Sequence, residues 1–355
     1  MRVALDATPL TLSSGGLMRY TSELTGALAT QFPKDEYLLL SDQKFCFPPG
    51  SRQNVRCGFG PGGPLERRWW LWGLPREMSR LKADVFHGTN FAVPYVPARP
   101  SVMTLHDLSP WMDGRWHYAA DRVRRRAPAL IGLGSATMII TVSEAVRKQA
   151  IDRFRIHPDR IAAVPLAAST HFRPVKAAPP QRPFLLFIGT LEPRKNLRFL
   201  VDAWRPVRDR YGVELALAGR RREDFATLPS EPGLRVLGET PERDLPLLYS
   251  QALAFVYPSL YEGFGLPVLE AMQCGACVIA STDPAIAEVA GDAVTRLDPR
   301  DTRAWTEALT ACVTGGDWLG RQRENSLARA RNFSWERTAR LTHDIYEQAR
   351  RRFHG

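Results

Sequence analysis

Thirteen short apolar runs, many of them rich in β-branched residues, punctuate the chain, and segments with helical periodicity separate most of them. In the first half they are RVALDA (2–7), EYLLLS (36–41), NVRCGF (54–59), DVFHG (84–88), SVMTLH (101–106), ATMIITVS (136–143) and IAAVPL (161–166). In the second half they are FLLFIGTL (184–191), VELALAG (213–219), LRVLGE (234–239), LAFVYPS (253–259), CVIAS (277–281) and a weaker AVTRL (293–297). A strand that reads as apolar throughout is covered on both faces, and an intervening helix lets successive strands run parallel. The pattern predicts an α/β protein built on parallel sheets with helices on both sides.

Midway, HFRPVKAAPPQRP (171–183) carries four prolines and no periodicity, as an interdomain linker does. The predicted organisation is a Rossmann-like domain over 1–172, a linker over 173–183 and a second Rossmann-like domain over 184–337. The two would face each other across a cleft lined by the carboxyl ends of both sheets. A last helix opens at Ser334, an N-cap residue, and runs through WERTARLTHDIYEQARRR. Trp335, Thr338, Thr342, Ile345 and Ala349 share one of its faces, which packs on one domain or the other.

A chain of 355 residues is long enough for two cores. No run of about 18 apolar residues appears, and MRVALDATPL enters a strand without a signal peptide's long apolar core, so the expected location is the cytoplasm. The net charge is +11, and 42 of the 48 basic residues are arginine. Such an excess suits an anionic partner: nucleic acid, a membrane surface or a phosphorylated small molecule. No nucleic-acid recognition module is present, so that class is set aside. Five cysteines make no disulfide framework. Cys274 and Cys277 form a C-G-A-C spacing without the second pair that a structural zinc requires, and are expected as buried thiols.

Three strand–turn–helix junctions carry chemistry. DATPLTLSSGGLMRYTSELTGAL places Gly15 and Gly16 before a helix, where backbone amides and the helix N-terminus favour an anion, with Arg19 in the first turn. FIGTLEPRKNLRFLV places Gly189 at a strand end and Arg194 and Lys195 before a helix. Two cations there oppose the helix dipole and cost stability unless an anion compensates them. YEGFGLPVLE (261–270) brackets two glycines and a proline with Glu262 and Glu270. Pro267 suits the start of a helix, and Glu270 is expected in its first turn, where a carboxylate favours the dipole. Glu262 lies before the glycines and has no such structural reason.

A fourth segment, SVMTLHDL (101–108), delivers His106 and Asp107 to a strand end, and His87 in DVFHGTN sits similarly. Together these turns suit a diphosphate with polyhydroxylated groups at both ends, which is to say a nucleotide sugar.

At these residues the chain resembles glycosyltransferase family 4, retaining enzymes of the GT-B architecture, and among them mannosyltransferase-like bacterial members. The resemblance is carried by GGLMRYT (15–21), TLHDLSP (104–110), TVSEAVRK (141–148), GTLEPRKNL (189–197), PSLYEGFGLPVLEAMQCG (258–275) and FSWERTA (333–339). It implies that the last helix, about 338–355, crosses back to complete the N-terminal, acceptor-side domain. It implies further that Glu262 contacts donor-sugar hydroxyls, Glu270 the ribose, and His106 the transferred sugar. Arg194 and Lys195 would stabilise the departing diphosphate. Gly15, Gly16, Gly189 and the amides of Phe264, Gly265 and Leu266 would assist in donor binding, with Arg19 and Asp107 on the acceptor side.

The implied reaction moves a mannose- or glucose-type hexose, with GDP-mannose among the donors. The acceptor would be a saccharide or a polyprenyl-diphosphate-linked glycan. No D-x-D occurs, in keeping with a reaction that needs neither metal nor cofactor. Two departures from the family stand out: Cys277 replaces a common proline, and the loop before Glu288 differs, which leaves the donor's identity open.

LERRWWLWGLPREMSRLK (65–82) and WHYAADRVRRRAPALIGLG (116–134) mix aromatics with arginines, as helices on an anionic membrane surface do. For Trp69 to Trp72 burial against the sheet is the expectation. If these segments do meet lipid, the protein is peripheral at the inner face of the membrane. Rival functions are a sugar-nucleotide epimerase of the same fold, which would form product without an acceptor, and a non-catalytic sugar-nucleotide-binding subunit.

Overall fold

The structure is a computed structural model that describes residues 1–12, 15–47, 52–58, 68–116, 120–226 and 228–353. It divides into two compact units, Met1–Leu166 joined by the chain from Ser334 onward, and Ala167–Phe333.

The first unit alternates β1 (Arg2–Asp6), α1 (Gly16–Gln31), β2 (Glu36–Leu40), β3 (Val55–Cys57), α2 (Leu74–Arg80), β4 (Val85–Gly88) and β5 (Ser101–Leu105). It continues with α3 (Asp121–Gly132), β6 (Met138–Thr141), α4 (Glu144–Phe154) and β7 (Ile161–Ala163). All seven strands are parallel, in the order β3-β2-β1-β4-β5-β6-β7. Every residue of β4, β5 and β6 is buried, the consequence of helices covering both faces.

The second unit contains β8 (Phe184–Ile188), α5 (Leu197–Tyr211), β9 (Glu214–Ala218), β10 (Leu234–Gly238), α6 (Leu245–Gln251), β11 (Ala254–Tyr257) and α7 (Leu266–Gln273). It ends with β12 (Val278–Ser281), α8 (Pro284–Ala290), β13 (Thr295–Leu297), α9 (Thr302–Thr314) and α10 (Asp317–Ala330). Its six parallel strands run in the order β10-β9-β8-β11-β12-β13. All thirteen expected strands form, trimmed mainly where glycine, proline or polar residues leave the ladder.

Strand order reverses between β1 and β4 in one sheet and between β8 and β11 in the other. Loops leaving the two strands at such a point diverge to opposite faces and open a crevice at their carboxyl ends, where ligands of α/β proteins bind. Two crevices are therefore set by topology alone.

The segment expected as a linker is tied to the second unit. Gln273 Nε2 donates to the carbonyls of Ser169 and Phe172, both at 2.8 Å, the Val175 amide donates to Ser250 Oγ and Gln251 Nε2 donates to the Ala178 carbonyl. These bonds to α6 and α7 move the boundary from 172 to Leu166, because a proline-rich strand with anchored carbonyls behaves as part of the domain it binds.

The last helix, α11 (Trp335–Arg352), packs on α1 and over β4, β5 and β6 of the first unit. Ser334 Oγ caps it by accepting from the Arg337 amide at 3.2 Å. Its buried face is the one expected, with Ala339 and Tyr346 added; the Tyr346 hydroxyl meets His87 Nδ1 at 2.7 Å.

Of the aromatic run, Trp69 is buried, but Trp72 is 57 % exposed, which corrects the expectation of burial through Trp72. It lies in a π-helical turn over Trp69–Gly73. Residues 65–67 and 117–119 of the two arginine–aromatic segments lie outside the described residues, as do 354–355 of the last helix. No helix among the described residues is long and apolar enough to cross a membrane.

Candidate active site

In the second unit, the crevice between β8 and β11 collects the second and third expected turns. β8 leads through Gly189 into a 3-10 turn, Pro193–Lys195, and Asn196 adopts the left-handed conformation (φ 57°) to start α5. β11 leads through Pro258 and Ser259 to Glu262, and Gly265 (φ 94°) starts α7. The left-handed region favours glycine, and a Cβ at Gly265 would lie 3.2 Å from Ile286 Cγ1.

Glu262, 7 % exposed, is the hub. Lys195 Nζ donates to its Oε1 at 2.5 Å, Ser259 Oγ to the same oxygen at 2.5 Å, and Arg194 Nη1 to Oε2 at 3.1 Å. Burial alone would push the Glu262 carboxyl up, but Lys195 and Arg194 outweigh it and hold the group at about 2, so it is an anion. Burial and the Arg194 charge push Lys195 down, while Glu262 and Glu192 hold it up; we assign an ion pair because 2.5 Å between charged partners stabilises both charged forms.

Lys195 Nζ also donates to the Tyr257 hydroxyl at 2.6 Å and lies 4.9 Å from that ring's centroid. The compensating anions required by two cations before a helix are thus within the protein. Arg194 Nη1 holds the Tyr261 carbonyl at 2.7 Å, and its Nη2 meets Glu192 Oε1 at 2.7 Å. Arg222 pairs with Glu192 Oε2 at 3.1 Å.

Asp283 completes the frame. Its Oδ2 accepts from the Glu262 amide at 3.2 Å, while Oδ1 caps α8 through the amides of Ala285 and Ile286. Burial raises its pKa to about 6, although the amides it accepts from pull the other way.

Glu270 differs from expectation. It is the fifth residue of α7, past the first turn, so helix-dipole compensation does not account for it. It is buried and accepts from the Tyr249 hydroxyl at 3.1 Å. Phe264 is buried edge-on against Phe333 at 5.9 Å, which anchors the loop that presents the Gly265 and Leu266 amides.

In the first unit, His106 follows β5, and its Nε2 lies 2.7 Å from the Thr89 carbonyl. A carbonyl only accepts, so Nε2 carries the proton and Nδ1 is left as an acceptor. Burial lowers the pKa of the ring, and the neutral imidazole sits edge-on to Tyr20 at 4.8 Å. His87 is a buried strut, bound through Nε2 to Thr104 Oγ1 at 2.7 Å and through Nδ1 to Tyr346.

Asp107 is occupied locally: its Oδ1 accepts from the Ser109 amide at 2.9 Å and hydroxyl at 2.6 Å, capping a short 3-10 turn. Gly15 (φ 113°) precedes α1 and Gly16 begins it; a Cβ at either would touch nothing within 4 Å. Their use is backbone conformation and access rather than packing. Arg19 stands in the first turn, half-buried, its amide bonded to the Gly15 carbonyl at 3.1 Å.

The structure therefore joins Glu262, Arg194 and Lys195 in one cluster, with Glu270 on the following helix, and places His106, Gly15, Gly16, Arg19 and Asp107 in the other unit. Sequence reasoning missed Glu192, Tyr257, Ser259 and Asp283. The first three lie in or beside the motifs; Asp283 is readable only as the cap before Pro284, not as a partner of Glu262.

Two family models match the chain: the one described as Glycosyltransferase Family 4 over residues 14–172, and the one described as Glycosyl transferases group 1 over residues 182–314. O-antigen chain mannosyltransferase B of Escherichia coli is 37 % identical over 98 % of this chain and 100 % of its own length. Among solved structures, sucrose-phosphate synthase from Thermosynechococcus elongatus superposes with a TM-score of 0.73 at 19 % identity, over 98 % of both chains. Anabaena Alr3699/HepE in complex with UDP-glucose does so with a TM-score of 0.73 at 16 % identity, over 98 % of this chain and 99 % of that one. These two likenesses concern the fold.

Proposed function

The chain belongs to the group 1 glycosyltransferases of family 4, and from that premise we propose that it moves mannose from GDP-mannose, with retention and without a metal, onto a growing bacterial polysaccharide. It is a hexosyltransferase of bacterial glycan biosynthesis; neither the epimerase nor the silent binding subunit is favoured. The finer reading is carried by one observation, the buried Glu262–Lys195–Arg194 cluster at the topological switch point of the second sheet.

An anionic Glu262 has no proton to give and cannot serve as a general acid. A carboxylate offers about four lone-pair sites. Lys195, Arg194 and Ser259 donate to it in this structure, and a donor-sugar hydroxyl is proposed as a further donor. Glu270 is assigned to the ribose, and the amides at the start of α7 to the diphosphate.

In the proposed reaction the acceptor hydroxyl forms a bond to the anomeric carbon as the bond to the diphosphate breaks, on the same face. The departing phosphate oxygen takes the acceptor's proton. Lys195 and Arg194 favour departure by their field, and they are held in place before substrate arrives, which spares reorganisation during the reaction. The Nδ1 of His106 is assigned to a hydroxyl of the transferred sugar.

The acceptor is proposed to be a polyprenyl-diphosphate-linked glycan at the cytoplasmic face of the membrane. Exposed Trp72, Val96 and Leu133 (57 %, 54 % and 76 %) in an arginine-rich unit support contact with anionic lipid. The donor is tested by thermal shift with GDP-, UDP-, ADP- and dTDP-sugars. GDP-mannose at about 100 times its Kd should stabilise the fold by about 2.7 kcal/mol. A larger shift with another nucleotide sugar, or a product with inverted anomeric configuration, would overturn the reading.

A further inference from the structure

The loop between β12 and α8 carries a buried carboxylate where a helix cap needs only a hydroxyl. β12 pairs in parallel with β11, so the turns that follow them leave the same end of the sheet, and Asp283 in one meets Glu262 in the other. Asp283 is buried. An N-cap requires one side-chain oxygen, which a serine or threonine supplies. Asp283 Oδ1 does this alone, accepting from the amides of Ala285 at 2.9 Å and Ile286 at 3.1 Å.

The second oxygen, Oδ2, plays no part in the cap and accepts from the Glu262 amide at 3.2 Å. The position is unfavourable for a charge. Burial first, and then the neighbouring Glu262 anion, push the Asp283 carboxyl up to about 6. A serine would cap α8 without that cost, so what the carboxylate adds is the bond to Glu262.

That bond completes a clamp. A peptide group is planar and rigid, so bonds at its two ends fix its orientation. In the 261–262 peptide the Tyr261 carbonyl accepts from Arg194 Nη1 at 2.7 Å, and the Glu262 N–H donates to Asp283 Oδ2. One end is held by the turn after β8 and the other by the turn after β12. The Cα of Glu262 is carried on that plane, and its carboxylate meets Lys195, Arg194 and Ser259. Asp283 also seats α8 against the next turn, because Ile286, whose amide it holds, is the residue packed on Gly265.

We propose that Asp283 is a positioning residue for hexosyl transfer: it clamps the peptide that carries Glu262 and so fixes where that carboxylate meets the donor sugar. It acts through Glu262 rather than on substrate. The role rests on the reading of Glu262 as the group that holds the sugar.

The test is steady-state transfer from GDP-mannose to α-mannotriose by the whole protein, with GDP affinity measured by calorimetry. Asp283→Ser keeps a cap and cannot reach Glu262. Asp283→Asn keeps the size, but its NH2 group sets a donor in place of an acceptor against either the Glu262 amide or the α8 amides. Each should lower kcat about tenfold or more, since a small misplacement beside the reacting atoms is costly, with GDP affinity retained. Circular dichroism should show both variants folded. Added to Glu262→Gln, Asp283→Ser should lower kcat little further, because residues that act through one another are not additive. A merely structural role would multiply the two losses. Wild-type kcat in Asp283→Ser, a loss of GDP affinity that matches the loss of kcat, or multiplied losses in the double variant overturns the inference. Full transfer by Glu262→Gln, or no transfer by wild type, strikes the underlying reading of the site as well, which separates that failure from failure of Asp283 alone.

Discussion

Lys195 Nζ and Glu262 Oε1 lie 2.5 Å apart, both side chains more than nine-tenths buried, although 67 residues separate them in the chain. The pair joins the first turn after β8 to the first turn after β11, and it makes the candidate site an electrostatic unit rather than two independent motifs.

Breaking that unit should cost stability and turnover separately. Glu262→Gln leaves Lys195 and Arg194 without their shared anion, and removal of one partner of a buried pair costs about 3 kcal/mol. Transfer should fall at least about 100-fold, as when a preorganised charge is removed, while nucleotide affinity changes little. In a double-mutant cycle, Glu262→Leu with Lys195→Met should unfold at higher denaturant than the sum of the single losses allows, with a coupling of about 1–3 kcal/mol. Additive losses would mean that the two residues do not act as a pair.

Stability should be nearly level from about pH 6 to pH 4 and fall steeply below. Burial pushes Asp6 and Asp283 up to about 6, so the folded state holds their protons more tightly and each contributes stability as pH falls from 6 towards 3.8. Burial pushes His87 down to about 3 and also lowers His106, so each loses stability as pH falls through 6.5. The two acids and two imidazoles therefore oppose one another across the upper window. Below about 4 the acids no longer compensate. Glu262, depressed to about 2 by its cations against burial, then loses stability from 4.5 downward together with His87. Two protons at about 1.4 kcal/mol each per pH unit give a loss of about 3 kcal/mol per unit. Denaturant midpoints from pH 7 to pH 3 measure it, and in Asp6→Asn the level stretch should tilt downward towards acid.

Gly219 should tolerate no side chain. It follows β9 at φ 139°, and a Cβ there would lie 2.0 Å from the Gly189 carbonyl oxygen. Gly219→Ala must displace the loop that leads to Lys195, at a cost of about 2 kcal/mol. Both the thermal midpoint and donor affinity should fall. A variant with an unchanged midpoint would show that the two backbones are not in contact.

What was legible in sequence was what short-range physics writes there. The thirteen strands were readable from apolar, β-branched runs, Ser334 as a cap from its place before an amphipathic pattern, and the Gly265 turn from glycine's access to positive φ. Arg194 and Lys195 were readable as an anomaly, since cations before a helix demand an anion. The identity of that anion was not readable. Strand order sets β8 beside β11 and so brings Glu262 to Lys195, and register is a property of the assembled sheet. Asp283 and Glu192 entered the same way. Glu270 falls one residue further into its helix than expected because the helix start is decided by the backbone at Gly265, and the exposure of Trp72, in a π-helical turn, was not readable either. Sequence determined which local structures form and which charges need partners; tertiary structure decided the partners, because only burial and strand order place distant side chains within hydrogen-bonding reach.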